Sequence, residues 1–229
     1  LAGRIAIIPA RGGSRRLPGK NVVEFLGKPI IVWTVQAALE SRYFRRVLVS
    51  TDDAGIARAA QVGGAEVVTR PAHLAADEVT ASDVCLHVLE TEEGSGAHYE
   101  VVACLYATAP LRTAQDIRAV VDLVEPGVCD FALAVTDYSY PPHQALRSNG
   151  GGTLAPMWPD LVTRQSQEVG PFCVDNGSTY AASVSAFRRQ GHFYGPGLRG
   201  HHMPRDRSVD IDYPVDLELA RFFAQRQRT

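Results

Sequence analysis

Residues 5–9 read IAIIP, a short unbroken apolar run rich in β-branched side chains, and the chain leaves it directly into a loop of glycines and arginines. A run with no polar face fits a strand covered on both sides, as in a parallel sheet with helices on each face. Pro29 then stands in the first turn of a helix whose apolar positions Ile30, Ile31, Val35, Ala38 and Leu39 recur at helical spacing, and a second apolar strand follows at 47–50. The alternation continues with helices over 54–62, 83–92 and 114–124, the last N-capped by Thr113, and with strands over 65–68, 101–107 and 131–136. Strands alternating with helices predict an α/β fold, a doubly wound and mostly parallel sheet with its ligand at the carboxyl ends of the strands.

After Thr136 the rhythm breaks. Residues 138–171 carry Pro141, Pro142, Pro156, Pro159 and Pro171, and the run Gly150, Gly151, Gly152 suggests a hairpin turn. This stretch reads as an excursion from the sheet, which a β-prone segment at 178–182 resumes. The chain then leads through 207–212 into a last helix with Pro214 in its first turn. At 229 residues it is read as a single domain, 1–229, large enough to bury its own core.

Charge narrows the partners. A formal net charge of -2 leaves no overall basic excess for a nucleic-acid backbone, so any polyanion site is local. No 18-residue apolar run and no charged leader is present, and the expectation is a cytoplasmic protein that does not enter a membrane. The four cysteines lack metal-site spacing and read as buried free thiols, and the seven histidines read as surface or loop residues. Only Lys20 and Lys28 are lysines; the other 21 formal cations are arginines.

Lys20 falls in the most informative segment, IIPARGGSRRLPGKN at 7–21, with three glycines and the cations Arg11, Arg15, Arg16 and Lys20. Glycines let backbone N–H groups approach phosphate oxygens, arginine offers a bidentate fork, and lysine a mobile point charge. Five residues separate Gly13 from Gly19, and Asn21 follows Lys20 where a Walker A loop needs Ser or Thr; a G-x-G-x-x-G is also missing. A P-loop NTPase and a dehydrogenase are thereby disfavoured. Composition alone is also compatible with a solvated basic turn.

The segment IIPARGGSRRLPGKN resembles the signature of acylneuraminate cytidylyltransferases, the CMP-sialic acid synthetase family. STDD at 50–53, Arg70-Pro71 with the polar run to Ser82, TAPLRT at 108–113, NGSTY at 176–180 and RSVDIDYPVDLELA at 207–220 resemble further blocks of that family in the same order. The resemblance implies a Rossmann-like nucleotidyltransferase fold and transfer of CMP from CTP to the anomeric hydroxyl of an acidic nine-carbon sugar, with Mg as cofactor. It implies that the loop residues Ala10, Arg11, Gly12, Ser14, Lys20 and Asn21 hold the nucleotide, with Arg11 and Lys20 catalytic on its phosphates. Arg70 and Ser82 would meet the cytidine portion; read alone, they are equally a helix-flanking surface arginine and an N-cap serine. Asp210 and Asp212 would bind the metal, and Asp212 would also help deprotonate the sugar. In an extended segment side chains at i and i+2 point the same way, which suits a hard cation, although Asp212 ahead of Pro214 is also placed to cap the last helix.

The sugar side departs from the sialate pattern. YATAP at 106–110 stands where Gln-Pro-Thr-Ser-Pro is usual, and Tyr106 lacks the paired donor and acceptor of a carboxamide. That block, with TRQSQ at 163–167, looks more like the pseudaminic acid branch, whereas NGSTY and the C-terminal block look like the acylneuraminate and legionaminate pattern. Tyr106, Thr108, Asn176 and Tyr180 are the sugar-site candidates. The excursion at 138–171 resembles the region through which this family forms its homodimer. A CMP-Kdo synthetase, another sugar nucleotidyltransferase, or an inactive nucleotide-binding module are the competing readings.

Overall fold

A computed structural model describes residues 3–227 of the chain. The elements, in order, are β1 (Arg4–Pro9), β2 (Glu24–Phe25), β3 (Lys28–Pro29), α1 (Ile30–Ser41), β4 (Arg46–Thr51), α2 (Ala54–Gly63), β5 (Glu66–Thr69), α3 (Ala81–Gly94), β6 (Val101–Leu105) and α4 (Ala114–Val121). Then come β7 (Phe131–Asp137), β8 (Leu146–Ser148), β9 (Leu154–Pro156), α5 (Ser166–Val169), β10 (Cys173–Ser183), α6 (Val184–Gln190), β11 (Arg199–His202) and α7 (Pro214–Arg226). The predicted alternation through β7 is present, within a few residues at each end.

Seven strands form the main sheet in the order β11-β7-β10-β6-β1-β4-β5. β1 pairs in parallel with β4 and β6, and β4 with β5. Alternation along β1 explains why its sequence is apolar throughout. Ala6 and Ile8 join one core layer with α1, α2 and α4, whereas Ile5 and Ile7 join the opposite layer with α3 and α6. The chain first builds outward from β1 through β4 and β5, then crosses to the other side to lay down β6. The β1/β6 boundary is therefore a topological switch point, where the loops at the two carboxyl ends separate and leave a crevice.

Three features depart from the sequence reading. β10 is longer than the expected 178–182 and runs antiparallel to both β6 and β7. β11, with the sequence RGHH, was not expected and places His201 and His202 on a strand rather than in a loop. His143 is buried, not on the surface, while Cys173 is exposed, unlike Cys85, Cys104 and Cys129. The excursion holds the small β8–β9 hairpin, turned by the three glycines as expected.

Local signals start the helices. Asp53 accepts from the Ile56 N–H at the start of α2, and Thr80 and Thr113 form reciprocal capping boxes with Asp83 and Asp116. α7 is held by a third apolar cluster that includes Phe25, Ile30, Leu111, Ile211 and Leu217, so the end of the chain is fastened beside its beginning. Among the described residues no helix is long and apolar enough to cross a membrane.

Candidate active site

The loop after β1 is pinned by its backbone before any ligand is considered. Ala10 N–H donates to the Ser50 carbonyl at 3.0 Å, Gly12 N–H to Asp52 Oδ1 at 3.0 Å, and Asn21 Nδ2 to the Arg11 carbonyl at 2.9 Å. A Cβ on Gly12 would lie 3.0 Å from the Asp53 side chain, so glycine lets the loop pass this close to α2. With its backbone held, the loop projects its four cations towards acidic groups. Arg11 and Arg15 reach Asp77 at 2.8 and 2.5 Å, while Lys20 and Arg16 reach Asp212 at 2.7 and 2.6 Å. Arg16 also lies over the Tyr213 ring.

Beneath these cations is a cleft of about 440 Å³ at the β1/β6 crevice. Arg11, Ser14, Lys20, Asn21, Arg70 and Thr108 all line it. Arg70 is no surface residue: it is buried, its guanidinium donates to the Ser50 carbonyl at 2.8 Å, and burial lowers its pKa. Ser82 does not cap α3; Thr80 does, and Thr80 rather than Ser82 lines the cleft. Ala10 is a core residue and Gly12 a packing residue, so neither lines the cavity itself.

Asp210 and Asp212 lie on an extended segment fastened to the end of β6, where Ile211 N–H donates to the Thr108 carbonyl at 2.9 Å. The cap of α7 falls to Asp216, whose carboxylate accepts from the N–H groups of Asp212 and Tyr213. The Asp212 side chain is thereby left to Lys20 and Arg16 of the loop after β1 and does not serve as a cap. Burial raises the Asp210 carboxyl above the usual carboxylate range; the Thr108 side chain opposes this and the nearby Asp212 charge adds to it. Asp210 Oδ1 is buried and has no hydrogen-bond partner among the described residues.

A larger cleft of about 660 Å³ adjoins the first, and Tyr106 lines both. Asn176 and Tyr180 line the larger one, but their polar atoms are occupied. Asn176 donates to Ser208 Oγ and accepts from Ser178 N–H, and Tyr180 donates to Asp175 at 2.8 Å. Only Tyr106, of the four sugar candidates, has a hydroxyl without a hydrogen bond to the described residues, and burial raises its pKa. Thr108 lines the smaller cleft instead.

Several residues at the site were missed by sequence reasoning. Asp77 faces the phosphate loop, and Asp175 receives the hydroxyls of both Tyr180 and Tyr194. Arg112 is buried behind Tyr106, donating to the carbonyls of Tyr106 and Ser178 and to Thr34 Oγ1, and burial lowers its pKa to about 10. It was visible only as one letter of TAPLRT. A buried guanidinium without a contacting carboxylate is a tertiary property that spacing does not reveal.

A cytidylyltransferase family model matches residues 5–131. The pseudaminic acid cytidylyltransferase of Campylobacter jejuni is 31% identical over 95% of this chain and 94% of its own length. An N-acylneuraminate cytidylyltransferase of Escherichia coli is 30% identical over 97% of this chain and 52% of its own length. A solved structure of CMP:2-keto-3-deoxy-manno-octonic acid synthetase complexed with CTP superposes with a TM-score of 0.71, covering 99% of this chain and 100% of that one. At 19% identity that likeness concerns the fold.

Proposed function

The chain belongs to the cytidylyltransferase family, and we propose that it transfers CMP from CTP to the anomeric hydroxyl of a nonulosonic acid, releasing pyrophosphate. The observation that carries this reading is the facing of Lys20 and Arg16, which line the smaller cleft, against Asp212. Each cation of the loop is held by a carboxylate that a triphosphate would displace, because a polyanion offers more charge and more acceptor oxygens than one carboxylate. Arg11 and Lys20 then hold the phosphates, with Ser14 and Asn21 shaping the loop and Arg70 on the side of the base.

Freed from those cations, Asp212 stands beside Asp210, whose orphaned buried oxygen suits a hard divalent cation. Magnesium is our choice for that cation; when bound it would neutralise charge on the phosphates and orient them for in-line attack. Asp210 and Asp212 would hold it, and Asp212 would accept the proton of the attacking hydroxyl. Tyr106, shared by both clefts, meets the sugar next to the nucleotide, and Asn176 and Tyr180 stiffen the wall behind it. The protein acts as a homodimer through the excursion at 138–171, whose exposed apolar side chains include Tyr140, Leu146, Leu154 and Trp158.

The test is pyrophosphate release from CTP with magnesium and a panel of pseudaminic, legionaminic, N-acetylneuraminic and Kdo acids. Release is expected with one or more of the nine-carbon acids and is expected to fall by about 10²- to 10³-fold in Asp210→Asn, the scale of losing a charge-stabilising group. No release with any acid overturns the reading.

A further inference from the structure

The larger cleft poses an electrostatic problem for an acidic substrate. Four carboxylates line it, those of Asp137, Asp175, Asp210 and Asp216. None is in contact with a lysine or arginine among the described residues. Asp137 has His202 at 2.9 Å, Asp175 has the two tyrosine hydroxyls and the Gly177 N–H, and Asp216 has the N–H groups at the start of α7. Hydrogen bonds disperse these charges without cancelling them, so a sugar carboxylate entering here meets repulsion from most of the wall.

One cation lines the cleft, and its surroundings differ from those of the phosphate-loop arginines. Arg205 donates from Nη2 to Ser139 Oγ at 2.8 Å and has no carboxylate partner among the described residues. Its backbone is nevertheless fixed. Arg205 opens a 3₁₀ turn, Arg205–Arg207, in which Ser208 Oγ donates to the Pro204 carbonyl at 2.9 Å and Arg207 is anchored on Asp116 at 2.8 Å. A planar fork on an anchored turn, hydrogen-bonded to a neutral hydroxyl in an otherwise acidic cleft, has the chemistry to accept a carboxylate bidentately.

We propose that Arg205, steadied by Ser139, is the specificity residue that receives the carboxylate of the sugar acid in this cleft. The proposal rests on the cytidylyltransferase reading above and deepens it. It also orients the bound sugar: the anomeric carbon carries both the carboxylate and the attacking hydroxyl, so Arg205 would hold the reacting end of the sugar.

Steady-state kinetics on Arg205→Met and Arg205→Lys test it, using CTP, magnesium and whichever panel acid the wild type uses best. Loss of a hydrogen bond to a charged partner predicts a KM for the acid raised about 10- to 100-fold in Arg205→Met, with the KM for CTP changed less than about twofold. Arg205→Lys, which keeps the charge but loses the planar fork, is expected to recover only part of the loss, and added salt to raise the acid's KM in the wild type more than in Arg205→Met. A general structural defect would raise both KM values and lower the melting temperature. An unchanged KM for the acid, or an equal rise in both KM values, overturns the role of Arg205 while the wild type's turnover upholds the family activity. A wild type inactive with every acid overturns both.

Discussion

Gly177 shows how a single residue sets the geometry of the reacting groups. It sits in the irregular part of β10 between Asp175 and Tyr180, at φ +66°, and a Cβ there would lie 2.9 Å from Asp210 Oδ2. The left-handed backbone alone costs a non-glycine residue about 1–2 kcal/mol, and the clash falls on the carboxylate proposed to hold the metal. Gly177→Ala is therefore expected to lower stability by about that amount and to cut kcat at least tenfold, with little change in the KM for CTP. Denaturant titration and steady-state kinetics check this, and a wild-type kcat would mean that Asp210 has room to yield. At this scale the sequence was partly legible. The i, i+2 spacing of Asp210 and Asp212 and the loop around Lys20 could be read in advance, because those signals are local, although the roles proposed for them came from the family resemblance. Arg112 matters through partners far along the chain, Ser178 and Thr34, and Arg70, read without the family resemblance, was equally a surface arginine because nothing local reports its burial.

Among the elements, one carboxylate ties three pieces of chain together. Asp116 caps α4 by accepting from the Thr113 N–H and hydroxyl, and its other oxygen meets Arg207 at 2.8 Å and His201 of β11 at 3.3 Å. The turn that leads into the Asp210–Asp212 segment is thus anchored on the start of α4. Burial raises the Asp116 carboxyl, but the Thr113 hydrogen bonds and Arg207 together bring it below the ordinary carboxylate range. A folded-state value below the unfolded one means stability that is present in full above the unfolded pKa, about 3.9, and is lost as pH falls through the folded value. Asp116→Asn should cost about 1.5–3 kcal/mol at pH 7, the scale of hydrogen bonds to a charged group. The gap to the wild type should narrow as pH drops below about 4. Urea titrations at both pH values decide it: a gap that ignores pH would assign the loss to packing. The Thr113 cap was readable in advance, since a capping box is a local pattern. β11 was not, because RGHH carries neither apolar alternation nor a β-branched run and owes its pairing to β7. The direction of β10 was equally hidden, since period-2 patterning is the same for either strand direction.

For the whole molecule, a net charge of -2 conceals a strong division: a basic loop on one side of the crevice and carboxylates on the other. The order of strands places both at the β1/β6 switch point, so site and fold follow from one crossover. The excursion at 138–171 adds little to that core. It packs as a small hairpin with short helical turns, and Leu146, Leu154 and Trp158 are exposed on it, the apolar side chains on which the proposed homodimer rests. Covering it with a second copy uses the same patch twice, so each substitution in a two-fold interface counts twice. Burial of one leucine contributes about 1.5–3 kcal/mol, and Leu154→Asp should weaken the dimer by about 10²- to 10⁴-fold. Sedimentation equilibrium at micromolar concentration should show the wild type at twice 24.8 kDa and the variant at 24.8 kDa. Circular dichroism should be unchanged, because Leu154 lies outside the three core clusters. A wild type that sediments as a monomer would reject the excursion as a dimer interface, and a variant that stays dimeric would move the interface elsewhere on the molecule.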